Sequence, residues 1–276
     1  MSDEQSVYGV KAALALVERR PGDVLRIHYR ADRRAQLKGV LSWAASRRLP
    51  YRELDEEGLR KVAGGTHHEG LVVIAKPLRF APFEPEAQAN APREPTARTH
   101  ELRAPEARTP APSAPGDRRS GSGARERHPV WLALDGVENP HNLGAILRSA
   151  AFFGAAGVLV GGAAPGDKVN QAALRVAEGG AEYVRVAAVP DLAAALAAQA
   201  AQGWAVLGLE TDGTPLPRSR PARPILLVLG HEHEGLRPAI RAACGAVHRI
   251  PGDGTLASLN VSVAAGVALA LLLSPR

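Results

Sequence analysis

Two short runs of histidine and glutamate are the first candidates for chemistry. His231 and His233 flank Glu232, and alternate residues of a strand face the same way, so the two imidazoles could converge on one metal ion. Residues 67–69 form a second run of two histidines and a glutamate. Neither run belongs to an H-E-x-x-H helix, and no third ligand lies at useful spacing. We therefore predict no metal site.

Phosphate-binding loops and a reactive thiol are the next candidates. The glycine-rich stretch that begins at Gly161 has Asp167 where a phosphate loop requires lysine, which excludes that motif. No G-x-G-x-x-G opens a helix after a strand, so an ordinary dinucleotide fingerprint is also missing. Cys244, the only cysteine, has apolar neighbours that favour packing over nucleophilic catalysis. Any cofactor must therefore be held in another way.

The elements that would position chemical groups are clearest in the carboxyl-terminal half. Short β-rich runs are separated mostly by helical stretches, which predicts a parallel sheet with helices on both faces. Such sheets bind ligands in the loops beyond the carboxyl ends of their strands. The final apolar run, Val261 to Leu273, is too short to span a membrane and is predicted to be a buried helix. The predicted strands are Trp131–Leu134, Gly157–Val160, Val184–Val189, Ala205–Leu209, Ile225–Leu229 and Val247–Ile250.

The amino-terminal part is predicted to be a separate small α/β domain, residues 1–79. Helical spacing around Val10, a strand Val24–Tyr29, a helix Arg33–Arg47 and a strand Leu71–Ala75 follow one another. Residues 80–128 are crowded with Pro, Ala, Arg and Glu and lack an apolar period, which predicts a disordered linker. Residues 129–276 form the larger domain.

Charge and composition narrow the class of partner and the compartment. The chain has 276 residues, a net charge of +6 and an isoelectric point near 9.9. A net positive charge favours contact with a polyanion such as RNA or DNA. GC-rich coding also enriches arginine, and charge alone leaves both explanations open. The polar, acidic start is unlike a secretory signal. We expect a cytoplasmic protein with no membrane segment.

Three segments of the larger domain carry a resemblance to a known family. They are LDGVENPHNLGAILRSAAFFGAAGVLV from Leu134, LVLGHEHEGL from Leu227, and IPGDGTLASLNVSVAAGVALALLL from Ile250. In this order and spacing they resemble the SpoU, or TrmH-like, family of RNA ribose 2'-O-methyltransferases in the SPOUT class. VYGVKAAL from Val7 and GTHHEGLVV resemble the substrate-binding domain that often precedes it. ALRVAEGGAEYV from Ala173 is most similar to an uncharacterised YfiF-like bacterial branch.

The resemblance implies more than the residue pattern does. It implies a trefoil-knotted α/β fold that acts as a homodimer, with S-adenosylmethionine bound in the knot near the subunit interface. General topology rules disfavour knots, so periodicity could not have indicated one. The implied activity is methylation of a ribose 2'-hydroxyl in tRNA or rRNA.

Five residues match the family's catalytic positions. A ribose hydroxyl is a very weak acid, so the site needs a base or a cation that stabilises the emerging alkoxide. The resemblance assigns Arg148 to that step, and a guanidinium that is always charged suits alkoxide stabilisation better than proton removal. Glu232, just after a buried strand, could anchor the site or hold Arg148 in register. Taken alone, Arg148 could be a surface arginine, Asn142 a helix N-cap and Glu232 a solvated loop acid. Ser258 and Asn260 could cap the last helix, orient the substrate, or do both.

The resemblance also indicates where the cofactor would bind. Backbone groups of the loops after successive strands are expected to hold it, and glycine at position 230 would allow close approach of the main chain. Ala257 stands where relatives often carry glutamate, which puts one supporting contact in doubt. The expected positions are Leu209, Glu210, Leu229, Gly230, Ile250 and Leu259.

Two functions from other classes compete with catalysis. A catalytically silent RNA-binding or ribosome-assembly protein would keep the fold without turnover, but Asn142, Arg148, Glu232, Ser258 and Asn260 are all present. A plain DNA-binding module would need a recognition helix in a helix-turn-helix pair, and none is recognisable. The target nucleotide is not predictable from the sequence, because RNA recognition depends on local shape and unpaired loops.

Overall fold

The chain forms two β-sheets with helices packed against them. The computed structural model describes residues 4–84, 128–162, 167–217 and 221–273. The first sheet has four strands in the order β1-β4-β2-β3, and the second has seven in the order β11-β9-β10-β6-β7-β8-β5. The strands are β1 Gln5–Tyr8, β2 Val24–Tyr29, β3 Tyr51–Glu53, β4 Leu71–Ala75, β5 Ala81–Pro82, β6 Val130–Asp135, β7 Gly157–Gly161, β8 Arg185–Val189, β9 Ala205–Pro215, β10 Ile225–Leu229 and β11 Ala246–Arg249.

The helices surround both sheets. Short 3-10 turns, among them Gly180–Glu182, connect several elements of the chain. Helix α4 follows β6 and helix α8 ends the described chain, and both pack against the larger sheet. The α-helices are α1 Val10–Arg19, α2 Lys38–Ser46, α3 Glu56–Ala63, α4 Pro140–Phe153, α5 Gln171–Ala177, α6 Leu192–Ala201, α7 Pro238–Ala243 and α8 Val261–Leu273.

The larger sheet is parallel throughout, as the alternation of strands and helices predicts. Each of its strands pairs with its neighbours in parallel, and all residues of β6 and β10 are buried. A parallel sheet is covered on both faces, so its central strands are continuous apolar runs. The predicted strands Val24–Tyr29, Leu71–Ala75 and Ile225–Leu229 and the final helix are confirmed residue for residue.

Some predicted boundaries are wrong. The predicted helix Arg33–Arg47 is shorter, because a 3-10 turn ends at Arg33 and α2 starts at Lys38. The predicted linker starts too early, because β5 adds to the edge of the larger sheet and the ring of Phe83 packs edge-on against Trp131 with centroids 5.2 Å apart. The rest of that linker, residues 85–127, lies outside the described part of the chain. The division into domains stays a prediction.

Close packing of α4 against α5 fixes the helix that carries Asn142 and Arg148. A methyl group added at Gly144 would lie 2.5 Å from the carbonyl oxygen of Ala173 on α5. Two backbones therefore meet at a position where only glycine fits. On the other side α4 meets α8, where a methyl group at Gly266 would make an ordinary 3.5 Å contact with Ser149.

Replacing these two helical glycines by alanine should have opposite effects. Gly144→Ala should lower the free energy of unfolding by about 1 to 3 kcal/mol, because backbone atoms cannot move aside for the added methyl group. The matched control Gly266→Ala should raise it by about 0.5 to 1 kcal/mol, since alanine favours the helix and has room. Urea denaturation followed by circular dichroism measures both. Equal effects of the two substitutions would contradict the described packing.

Candidate active site

Three neighbouring strands bring their following segments together at the carboxyl edge of the larger sheet. Leu229, the last residue of β10, pairs with Leu134 of β6 on one side and with Leu209 of β9 on the other. The loops that follow β6 and β10 therefore start from neighbouring positions, beside the part of β9 after Leu209 where its pairing with β11 is interrupted. This is the edge at which parallel sheets bind ligands.

Asn142 joins two of these loops to the start of the last helix. Its side-chain amide Nδ2 donates a hydrogen bond to Glu232 Oε1, and its Oδ1 accepts one from Asn260 Nδ2 at 3.1 Å. The structure thus brings together three of the five predicted catalytic residues, although they are far apart in sequence. We call Asn142, Glu232 and Asn260 the amide–carboxylate cluster.

The ends of two helices orient this cluster. Asn139, not Asn142, is the N-cap of α4, since its side chain accepts from the His141 amide at 2.9 Å. The N-cap interpretation of Asn142 is therefore wrong, and its side chain is free to reach Glu232. Asn260 Oδ1 accepts from the Ser262 amide at 2.9 Å, so Asn260 caps α8 while its Nδ2 serves the cluster. The capping alternative for Asn260 is therefore observed, and its role in orienting the substrate stays a prediction.

A buried carboxylate anchors the loop that carries Glu232. Asp135, 1% exposed at the end of β6, accepts from the Arg237 backbone amide at 3.0 Å and from Arg237 Nε at 2.7 Å. That hydrogen bond raises the pKa of Arg237 above its ordinary value. Sequence reasoning missed this pair, although an acid that ends a wholly apolar strand is a usable signal, because a buried carboxylate needs a partner.

The same loop is a tight turn whose backbone closes on itself. The amides and carbonyls of His231 and Gly235 exchange two hydrogen bonds, each 3.0 Å long. A side chain at Gly230 would collide with the backbone of Gly235, so this turn itself requires glycine at 230. Glu210 accepts from the Leu236 amide at 2.6 Å and forms an ion pair with Arg241, which ties the turn to β9.

The expected cofactor positions share the same edge of the sheet. Leu209 and Glu210 lie where β9 leaves its ladder with β11, since the register jumps between Val247 and His248. Ile250 directly follows β11, and Leu229 and Gly230 end β10. Leu259 lies in the loop 251–260, all of whose residues are exposed.

Arg148 and Ser258 are not brought into the cluster. Six residues along an α-helix advance about 9 Å and turn about 120° away from the starting direction, so Arg148 and Asn142 face different ways. Arg148 is exposed and pairs instead with Glu178, whose Oε1 lies 3.0 Å from its guanidinium. Ser258 is exposed in the loop before α8 and makes no hydrogen bond to the cluster among the described residues.

The described residues offer neither a cluster of metal ligands nor a reactive thiol. Across 4–84, 128–162, 167–217 and 221–273, no group of three His, Cys, Asp or Glu side chains could hold a metal ion. Burial raises the pKa of the Cys244 thiol to about 11, which leaves it protonated near neutral pH. None of the described helices is long and apolar enough to cross a membrane.

Comparison with known families identifies both halves of the chain. A model of the SpoU rRNA methylase family matches residues 129–270. The chain belongs to the SpoU rRNA methylase family. A model of the substrate-binding domain of RNA 2'-O ribose methyltransferases matches residues 6–81. The resemblance stated from the three motifs is therefore confirmed, and the amide–carboxylate cluster lies inside the methylase domain.

Individual relatives extend over the whole chain. Uncharacterized tRNA/rRNA methyltransferase YfiF of Escherichia coli is 32% identical over 97% of this chain and 67% of its own length. The 23S rRNA (guanosine-2'-O-)-methyltransferase RlmB of Pseudomonas aeruginosa is 34% identical over 100% of this chain and 98% of its own length. The SpoU methylase fold also matches the AdoMet-bound rRNA methyltransferase of Sinorhizobium meliloti, with a TM-score of 0.68, 21% identity and coverage of 98% and 87%. The predicted α/β fold class is confirmed, and the knot stays a prediction.

Proposed function

We propose that this chain transfers a methyl group from S-adenosylmethionine to a ribose 2'-hydroxyl in tRNA or rRNA. The observation that carries the proposal is the amide–carboxylate cluster at the carboxyl edge of a SpoU methylase domain. A substrate-binding domain precedes that edge in the chain. Relatives named 23S rRNA guanosine-2'-O-methyltransferases, 30% and 34% identical over nearly their full lengths, make guanosine in 23S rRNA the first target to test. We place this activity in the cytoplasm.

The residues at the sheet edge fit S-adenosylmethionine in kind. Leu209 and Ile250 are partly buried apolar residues at this edge, and Leu209 pairs with Leu229, which precedes Gly230. An adenine ring packs against such apolar residues, while backbone amides and carbonyls hydrogen-bond its edge. Leu259, in the exposed loop, would close over it. When bound, this group supplies an electrophilic methyl on sulfur.

The residues of the chain would then position the ribose hydroxyl and stabilise the charge that develops as it loses its proton. Asn142 and Asn260 present amide groups that can orient a hydroxyl, and Glu232 holds Asn142 in one rotamer. Arg148, as a permanent cation, stabilises the negative charge that develops on the oxygen. The proton leaves to an RNA phosphate or to water. Ser258, two residues from Asn260, orients the ribose.

We propose a homodimer, because one chain leaves Arg148 away from the cluster and exposes apolar surface beside it. Phe152 on α4 is 82% exposed, Leu256 in the loop before α8 is 79% exposed, and Val263 on α8 is 50% exposed. These three side chains belong to α4, which carries Arg148, to the loop that ends at Asn260, and to α8. A second copy docked there would bring the arginine of one chain to the cluster of the other.

The activity is tested with labelled donor and unmodified RNA. Transcripts of 23S rRNA, 16S rRNA and a tRNA pool are incubated with the full chain and [methyl-³H]S-adenosylmethionine, and the product is mapped by nuclease digestion and mass spectrometry. We expect a 2'-O-methylated nucleotide, and a loss of at least about a hundredfold in rate for Arg148→Ala with its fold unchanged. A methylated base refutes the mechanism. Donor binding without methyl incorporation on any transcript would favour the silent RNA-binding protein.

Disrupting the apolar surface should separate the copies. Phe152→Glu places a charge in the proposed interface, so the wild-type mass of about twice 29.0 kDa in sedimentation equilibrium should fall to that of one chain. Tyr51→Glu is the matched control, because Tyr51 is an exposed aromatic residue of the other domain and its variant should stay dimeric. A monomeric wild-type chain that retains full methyl transfer would contradict the interface.

A further inference from the structure

The segment Glu178–Tyr183 lies between the two domains and contacts both. Arg20, at the end of α1, donates two hydrogen bonds to Glu182 at 2.7 and 2.9 Å, and the side chain of Glu182 is only 3% exposed. The Tyr183 hydroxyl donates to Glu18 at 3.0 Å. These contacts fix α1 of the substrate-binding domain on the methylase domain. We call residues 178–183 the interdomain segment.

Two glycines press this segment against a helix on each side. A methyl group at Gly179 would lie 2.7 Å from Ala15 Cβ and 3.1 Å from the Lys11 carbonyl oxygen, both on α1. A methyl group at Gly180 would lie 2.8 Å from the Cα of Arg148 on α4. The segment is therefore wedged between α1 and the turn of α4 that carries the arginine.

Glu178 joins the two helices through one carboxylate. Its Oε2 accepts from Lys11 Nζ at 2.9 Å, and its Oε1 lies 3.0 Å from the Arg148 guanidinium. The hydrogen bond from Lys11 lowers the pKa of Glu178 below its ordinary value, with a further contribution from the charge of Arg148, so the carboxylate is charged at neutral pH. One oxygen faces the substrate-binding domain and the other faces the proposed catalytic cation.

The backbone of Glu178 is held in a conformation that a non-glycine residue rarely adopts. It ends α5 in the left-handed region, with φ of 45°. Ordinary capping would favour glycine or asparagine there, so the glutamate side chain works against the local backbone preference. The contact between Glu178 and Lys11 lines a cleft of about 180 Å³ between the domains, which is open to solvent and bordered by Tyr8, Lys11, His67, Glu69, Arg175 and Glu178.

We propose that Glu178 is a positioning residue that holds the Arg148 guanidinium in one orientation for methyl transfer. Because Lys11 binds the same carboxylate, this orientation depends on the docking of the substrate-binding domain. The inference rests on the proposed role of Arg148. The Glu178 carboxylate is held by Lys11 through one oxygen, and its other oxygen restricts the long Arg148 side chain, which would otherwise sample many rotamers. Arg148 would then enter the reaction already oriented, and only while α1 is in place.

Kinetics of two variants test the positioning. Glu178→Gln keeps the size of the side chain and removes its charge, so kcat on the best-accepting transcript should fall at least about tenfold with KM within about twofold. Lys11→Met should lower kcat by about threefold, and the double variant should be no slower than Glu178→Gln, because both act through one carboxylate. The matched control Glu57→Gln, which breaks an exposed surface pair with Lys61, should match the wild type.

A spectroscopic measurement makes the test independent of turnover. The Arg148 side-chain Nε–Hε signal in ¹H–¹⁵N spectra, assigned with Arg148→Lys, should shift in Glu178→Gln and stay in place in Glu57→Gln. An unmoved signal together with an unchanged kcat overturns the inference. If no transcript is methylated by the wild type, the proposed function fails, while the signal still decides whether Glu178 orients Arg148.

Discussion

The side-chain amide of Asn142 is the constraint on which the arrangement of this site depends. An amide has a donor and an acceptor end, and here the donor end meets Glu232 and the acceptor end meets Asn260. Glu232 lies in the loop after β10, and Asn260 lies in the loop before α8. The Asn142 side chain therefore fixes the positions of α4 and these two loops relative to one another. Removal of either partner would leave a polar group without its hydrogen bond at a partly buried edge.

The supporting structure keeps that amide in place. Gly144 lets α4 lie against α5, Asp135 holds Arg237 and so the loop of Glu232, and Asn139 caps α4 so that Asn142 is left for the cluster. Arg148 is held from another direction, through Glu178. The methylase domain therefore supports the proposed site by two independent sets of contacts, one inside the sheet edge and one against the substrate-binding domain.

The pattern of apolar residues predicted much of the fold, but it predicted few of the polar contacts between side chains. Strands such as Ile225–Leu229 were predictable because burial on both faces demands a continuous apolar run. Phe80 and its neighbours were assigned to the linker because a two-residue edge strand has no apolar period to detect. Family resemblance indicated Asn142, Glu232 and Asn260, whereas the pairing of Arg148 with Glu178 depends on how two helices pack, and no spacing encodes it.

The most direct test of the account is a double-mutant cycle between Asn142 and Glu232. Single-turnover methyl transfer is measured for Asn142→Ala, Glu232→Ala and the double variant. If the two side chains act as one hydrogen-bonded unit, each single change should slow transfer by about a hundredfold and the double variant by no more than about threefold beyond that. Effects of the two single changes that multiply in the double variant would contradict the account.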